Sequence, residues 1–112
     1  MTTKELNVEL YKKMAAEQTR YREYLLTLPP AEILKSAYEY STREDILLTL
    51  EYDDLHPRMA QALLRLDKPL DDVFRYYEKH GTGRMGDIWR MVEGRAIDAM
   101  HEDVRRKTQQ ER

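Results

Sequence analysis

The sequence predicts an all-α fold, a small helical bundle in which two long terminal helices flank three or four short helices. Two observations support this prediction. Apolar residues recur at steps of three and four along most of the chain, and a Ser/Thr-x-x-Glu sequence or a proline stands where the periodic runs begin. Because 112 residues can bury a real core, we expect a single helical domain over residues 1–112.

The first long helix is predicted to begin at a capping box formed by Thr2 and Glu5. Its inward stripe includes one polar residue, Glu17, and otherwise consists of Leu6, Leu10, Met14, Tyr21, Leu25 and Leu28. The pair Pro29-Pro30 ends this helix, because proline disfavours helical geometry in the residue before it. Pro30 suits the first turn of a second helix, whose predicted apolar face is Ile33, Leu34, Ala37 and Tyr38.

A second capping box, Ser41-Thr42-Arg43-Glu44, predicts the start of a third helix, with Ile46, Leu47 and Leu50 facing inward. Residues 46–52, ILLTLEY, are also compatible with a strand. The helix is favoured because the cap and the acidic first turn both complement the helix dipole.

Prolines mark the next two predicted helix starts, at Pro57 and Pro69, and Gly81 is predicted to cap the second of these helices. The segment HGTGRMG that follows is predicted to be a flexible link. The last helix is predicted from Arg84 to Lys107, and its inward stripe is Met85, Ile88, Trp89, Val92, Ala96, Met100 and Val104.

The arrangement of these helices follows from their lengths. We expect the two long helices to pack against each other, with the short helices covering one end. Gly94 in the last helix marks either a close contact with another helix or a weak spot. The polar tail from Lys107 to Arg112 is expected to fray.

Composition excludes several classes of protein. Charged residues make up 36 % of the chain but cancel to a net charge of −2, so direct nucleic-acid binding is not expected. The absence of cysteine excludes disulfides and cysteine-based zinc sites and suits a cytoplasmic location. The chain has no apolar run of the roughly 18 residues that a membrane helix needs, and the segment MTTKELNVELYKK does not resemble a signal peptide.

The residue types that perform catalysis do not form a recognisable motif. The three histidines lie far apart in sequence, and neither a metal-ligand spacing nor a Gly-x-Ser-x-Gly elbow is present. The glycine-rich GTGRMG follows a predicted helix rather than a strand, which argues against a phosphate loop. We therefore expect neither an enzyme nor a metal or other cofactor.

The centre of the chain is acidic. Residues 29–54 contain two basic side chains, Lys35 and Arg43, against seven acids. One interpretation is a solvated helix face whose acids compensate helix dipoles. The other is an acidic, tyrosine-bearing face that docks a basic partner. The residues predicted to bind such a partner are Glu39, Tyr40, Glu44, Asp45, Glu51, Tyr52, Asp53 and Asp54.

Three segments carry a resemblance to a known family: LYKKMAAEQTRYREYLL, PPAEILKSAYEYSTREDILLTLEYDDL and ALLRLDKPLDDVF. They resemble a short domain of unknown function carried on conjugative and other mobile elements of Gram-positive gut bacteria (Firmicutes). The resemblance covers about residues 8–96. It implies a cytoplasmic accessory protein of such an element, with no activity or catalytic residue to transfer.

The residues and the resemblance together predict a non-enzymatic protein that binds a macromolecular partner through the acidic centre. The most concrete version is an anti-defence inhibitor of the anti-CRISPR type, which blocks the basic channel of a nucleic-acid-guided nuclease. The alternative is a structural or regulatory accessory of conjugation that acts as a homo-oligomer, for example a homodimer packed through the long helices.

Overall fold

The computed structural model describes residues 1–82 and 87–110, which form six α-helices and no strand. The helices are α1 (Thr3–Leu25), α2 (Pro30–Lys35), α3 (Ala37–Tyr52), α4 (Pro57–Leu64), α5 (Pro69–His80) and α6 (Asp87–Gln110). The all-α prediction is confirmed, and residues 46–52 belong to a helix. None of the described helices is long and apolar enough to cross a membrane.

α1 begins as predicted. The Thr2 hydroxyl accepts a hydrogen bond from the Glu5 amide, and the Glu5 carboxylate accepts one from the Thr2 amide, each at 3.1 Å. The predicted stripe faces the core, where Leu10 and Met14 are fully buried. The helix ends at Leu25, before the prolines, and two further turn hydrogen bonds lead the chain out of it.

The predicted start of the third helix at Ser41 is wrong. α3 begins at Ala37 and passes through Ser41 without interruption. Within it the Thr42 hydroxyl donates to the Tyr38 carbonyl at 2.8 Å, and Thr42 and Arg43 are buried. Tertiary contacts of these buried side chains outweigh the local capping preference, because helices in proteins are held mainly by the packing of one face.

The predicted apolar face of the second helix is also wrong. α2 is six residues long and contributes no buried residue, and Leu34 is 76 % exposed. Its only substantial contact among the described elements is with α3. Tyr38, at the start of α3, is 56 % exposed and touches the core through an edge contact with Phe74, at 6.4 Å between ring centroids.

The two long helices make little direct contact, contrary to the prediction. α4 lies between them and packs against both α1 and α6, and α3 and α5 complete the layer around the core. α4 can take this place because Ala60 and Ala62, which are 0 % and 2 % exposed, allow helices to approach closely on its two sides.

α6 confirms part of its predicted stripe, since Ile88, Val92 and Ala96 are buried. Val104 is 62 % exposed, because the helix continues beyond the elements that cover its first half. The predicted start at Arg84, the inward position of Met85 and part of the flexible link lie outside the described residues. Residues 107–110 of the predicted fraying tail are helical.

Gly94 confirms the expectation of a close helix contact. A Cβ atom at this position would lie 2.7 Å from the hydroxyl oxygen of Tyr76 on α5 and 2.9 Å from its ring. The Tyr76 ring itself packs against the His80 ring at a tilt of 44°, with 4.4 Å between the centroids. The glycine is therefore required by the approach of α5 to α6.

We expect Gly94→Ala to destabilise the wild-type protein, because the Tyr76 ring must shift to admit the new methyl group. In a Tyr76→Ala background the same substitution should stabilise by about 1 kcal/mol, the helix-propensity advantage of alanine over glycine. A double-mutant cycle measured by urea unfolding gives both values. Equal effects in the two backgrounds would contradict the steric explanation.

Candidate functional site

The eight predicted partner-binding residues do not share one surface. At about 100° per residue along α3, Asp45 and Tyr52 point away from the buried Ile46 and Leu50. Glu44 and Glu51 lie at the edge of this outward side that borders α1, and the exposed Asp53 and Asp54 follow the helix end. Tyr40 lies one helical turn before Glu44, at the same edge of the helix, whereas Glu39 faces Arg43.

Leu48 is a surface residue that the prediction omitted. It is 45 % exposed and lies between Asp45 and Tyr52 at helical steps of three and four residues, and Tyr52 is 79 % exposed. The helical phase of Leu48, opposite Ile46 and Leu50, was the signal available in the sequence. We refer to the following residues as the acidic face: Glu44, Asp45, Leu48, Glu51, Tyr52, Asp53 and Asp54.

The carboxylates of the acidic face are not neutralised within the protein. Over residues 1–82 and 87–110, no basic side chain lies within 4.0 Å of any of its five acids. Several acids elsewhere are paired, as Glu9 is with Lys12 and Glu32 with Lys35. The acidic face therefore presents up to five negative charges around two exposed side chains with large apolar surface.

Neutral groups of α1 hold the two acids at the border. The Tyr11 hydroxyl donates a hydrogen bond to the Glu51 carboxylate at 2.7 Å. The side-chain amide of Gln18 donates one to the Glu44 carboxylate at 3.1 Å. The hydrogen bond to Glu51 raises the pKa of Tyr11, because ionisation would break it. Burial, together with the nearby Glu44 carboxylate, raises the pKa of Tyr40. These contacts orient the acids without cancelling their charge.

Asn7 fixes the loop that carries Asp53 and Asp54. Its side-chain amide donates to the Leu55 carbonyl at 3.0 Å and its oxygen accepts from the Leu55 amide at 2.8 Å, so both backbone groups of this residue are satisfied. Asn7 is 5 % exposed and Leu55 is 2 % exposed. The place of Asn7 next to Leu6, on the inward side of α1, gave only a weak signal in the sequence.

A small cleft lies beside the hydrogen-bonded pair of Asn7 and Leu55. Its volume is about 180 Å³, and its lining includes Lys4, Tyr11, Glu51 and Asp54. The cleft brings the first turns of α1 next to the end of α3, so the border of the acidic face is formed by both helices.

Glu39 belongs to a buried charge cluster instead of the acidic face. The Arg43 side chain is 5 % exposed and donates to the carboxylates of Glu39 and Asp71, each at 2.7 Å. Its guanidinium also lies 3.9 Å from Glu17 and 4.4 Å from the centroid of the Tyr21 ring. Sequence analysis placed Arg43 in a cap and so missed this role.

Glu17, the polar residue on the α1 stripe, anchors α5. Its two carboxylate oxygens accept hydrogen bonds from the amides of Leu70 and Asp71, each at 2.8 Å, at the N-terminus of that helix. Burial raises the pKa of Glu17, and these two amides and Arg43 oppose that rise by favouring the carboxylate. The cluster of Glu17, Glu39, Arg43 and Asp71 thus joins α1, α3 and α5.

The carboxylates of the acidic face are spread over the C-terminal part of α3 and the residues that follow it. Within the described part of the chain, no group of three or more His, Asp or Glu side chains is placed to hold a metal ion.

The fold and this surface define a small all-α bundle with a charged face. Residues 6–100 match a family described as "Protein of unknown function (DUF3848)", and the chain belongs to this family. No curated protein and no solved structure matches the chain. The predicted resemblance to a domain of unknown function is therefore confirmed, while its link to mobile elements stays a prediction.

Proposed function

We propose that the protein is a non-enzymatic binding protein that docks a basic macromolecular partner through the acidic face. The observation that supports this proposal is the set of five carboxylates without an ion-pair partner among the described residues, arranged around the exposed Leu48 and Tyr52. Tyr52, at 79 %, is among the most exposed large apolar side chains of the described residues, and tyrosine is enriched at protein interfaces.

The physical roles of these residues differ. Tyr52 and Leu48 would supply the contact area, because an aromatic side chain buries a large surface at little cost in rotamer freedom. The surrounding acids would accelerate the encounter with a basic surface and select against acidic partners. Such an interface weakens as the salt concentration rises.

The most concrete form of the proposal is an anti-defence inhibitor of the anti-CRISPR type. Its carboxylates would occupy the place of phosphates in the basic channel of a nucleic-acid-guided nuclease. From Glu44 to Glu51 the helix rises by about 10 Å, which is close to the rise of three stacked nucleotides at about 3.4 Å each. The spacing of the acids along α3 is thus compatible with phosphate mimicry.

We expect the triple substitution Glu51→Gln, Asp53→Asn, Asp54→Asn to weaken partner binding about tenfold or more. Three charge pairs at about 0.5–1 kcal/mol each exceed the 1.4 kcal/mol that corresponds to a factor of ten. The amide oxygen introduced by Glu51→Gln can still accept the hydrogen bond from Tyr11, so the fold should be retained. The measurement is a pull-down from bacterial lysate, followed by titration of the captured protein at low and high salt.

A second triple variant is the matched control, because it changes the net charge equally at exposed acids outside the acidic face: Asp67→Asn, Glu78→Gln and Asp98→Asn. It should bind the partner as the wild type does. An equal loss of affinity for the partner in both triple variants would rule out docking through the acidic face. So would an affinity of the wild type that does not depend on the salt concentration.

The alternative, an accessory protein of conjugation that acts as a homo-oligomer, draws support from α6. Ile97 and Val104 are 43 % and 62 % exposed and lie seven residues apart, on the same side of the helix. Sedimentation equilibrium separates the two proposals. A dimer that dissociates on Val104→Asp but not on Leu48→Asp would favour the alternative, and a monomer would exclude it.

A further inference from the structure

A second charged surface lies between α1, α3 and α5 and has the opposite sign. It is a cleft of about 470 Å³ whose lining includes four basic side chains, two tyrosines and the carboxylates of Glu17 and Asp71. We refer to it as the basic cleft, with its principal residues Arg20, Tyr21, Tyr24, Arg43, Lys68 and Arg75. Its volume is within the range of small-molecule sites.

The floor of the basic cleft is neutralised by its own contacts. Arg43 is bound to Glu39 and Asp71 and lies near Glu17, whose oxygens are occupied by the amides of α5. Because Glu17 already covers the N-terminus of α5, a ligand cannot use those amides. The negative charge of the ligand must therefore be bound by side chains on the rim of the cleft.

Two of the three cations on the rim have no ion-pair partner among the described residues. Arg20 and Lys68 are exposed, and no carboxylate of the described residues lies within 4.0 Å of either. Arg75 has a 3.4 Å contact with Asp71, and its own side chain is 63 % exposed. Three cations thus border one cleft in a chain whose net charge is −2, which favours a ligand with several negative charges.

The tyrosines indicate the other part of the ligand. Tyr24 is 60 % exposed at the cleft and so offers an aromatic surface to a ligand. The Tyr21 ring is partly occupied by the Arg43 guanidinium. An exposed aromatic ring beside a cationic rim suits a planar base joined to phosphates, since every nucleic base can stack on an aromatic side chain.

We propose that the basic cleft binds a nucleoside polyphosphate, with the phosphates held by Arg20, Lys68 and Arg75 and the base stacked on Tyr24. This site is separate from the acidic face and does not depend on the function proposed for it. Isothermal titration calorimetry of the full chain with three probes tests the proposal. The probes are ATP, inorganic tripolyphosphate and adenosine.

We expect ATP to bind more tightly than tripolyphosphate, and adenosine to show no measurable binding. Arg20→Ala with Lys68→Ala should weaken ATP binding about tenfold or more, because each variant side chain removes one charge-assisted contact to a phosphate. The matched control is Arg105→Ala with Arg106→Ala, which changes the net charge equally at exposed residues of α6 and should bind ATP as the wild type does. Tyr24→Ala should reduce the affinity for ATP to that for tripolyphosphate.

Three results would overturn the proposal. The first is that the wild type does not bind ATP at millimolar concentration. The second is an equal loss of ATP affinity in the cleft variant and the α6 control. The third is that the wild type binds ATP and tripolyphosphate with equal affinity. The acidic-face triple variant should retain ATP binding, so a failure of either proposal leaves the other intact.

Discussion

Replacement of Arg43 by alanine is expected to lower the free energy of unfolding by about 3–5 kcal/mol, because it removes the buried cation that Glu17, Glu39 and Asp71 share. The side chain is 5 % exposed and faces the carboxylates of Glu17, Glu39 and Asp71. Without the guanidinium, the buried Glu17 carboxylate and the partly exposed carboxylates of Glu39 and Asp71 would be left close together without their shared cation. Chemical denaturation monitored by circular dichroism measures the loss.

Two further variants define the cause. Arg43→Lys keeps the charge but loses the planar fork that reaches two carboxylates and the contact with the Tyr21 ring, so an intermediate loss is expected. Lys12→Ala removes an exposed pair with Glu9 and should cost less than about 1 kcal/mol. A loss of similar size for Arg43→Ala and Lys12→Ala would show that the buried cluster does not stabilise the fold.

Asn7→Ala should cost about 2–3 kcal/mol, because it leaves both the amide and the carbonyl of the buried Leu55 without their partner. The same two hydrogen bonds position Asp53 and Asp54, so the substitution should also increase the mobility of these two residues of the acidic face. Hydrogen exchange of the Leu55 amide reports the local opening, and denaturation reports the global loss.

Thr19→Ala is the matched control for this prediction. The Thr19 hydroxyl donates to the Ala15 carbonyl of its own helix on an exposed surface, so its removal should change stability by less than about 0.5 kcal/mol. If the Leu55 amide stays protected from hydrogen exchange in the Asn7→Ala protein, another group holds the loop. The hydrogen bonds from Asn7 are then not what positions it.

The candidate site was only partly predictable from sequence. Glu51, Asp53 and Asp54 were placed on the surface, because acids beside an apolar helical stripe face water. The same reasoning put Glu39 with them, although its carboxylate is bound to Arg43. Whether a charged residue faces water or a buried partner depends on contacts distant in sequence, such as that between Arg43 and a carboxylate 28 residues away.

The amino-acid sequence by itself determined the all-α class, the capped start of α1 and the proline starts of α4 and α5. Each of these depends on local chemistry: helical period, backbone hydrogen bonds at a cap or the missing amide of proline. Gly94 left two alternatives, a close helix contact or a weak spot, and the position of Tyr76 decided for the close contact. Only the tertiary structure decided that α4 separates the long helices, that α3 runs through Ser41 and that the acids divide between a buried cluster and an outward face. These features arise from side chains distant in sequence that share one core, where the gain from burial exceeds the local preferences.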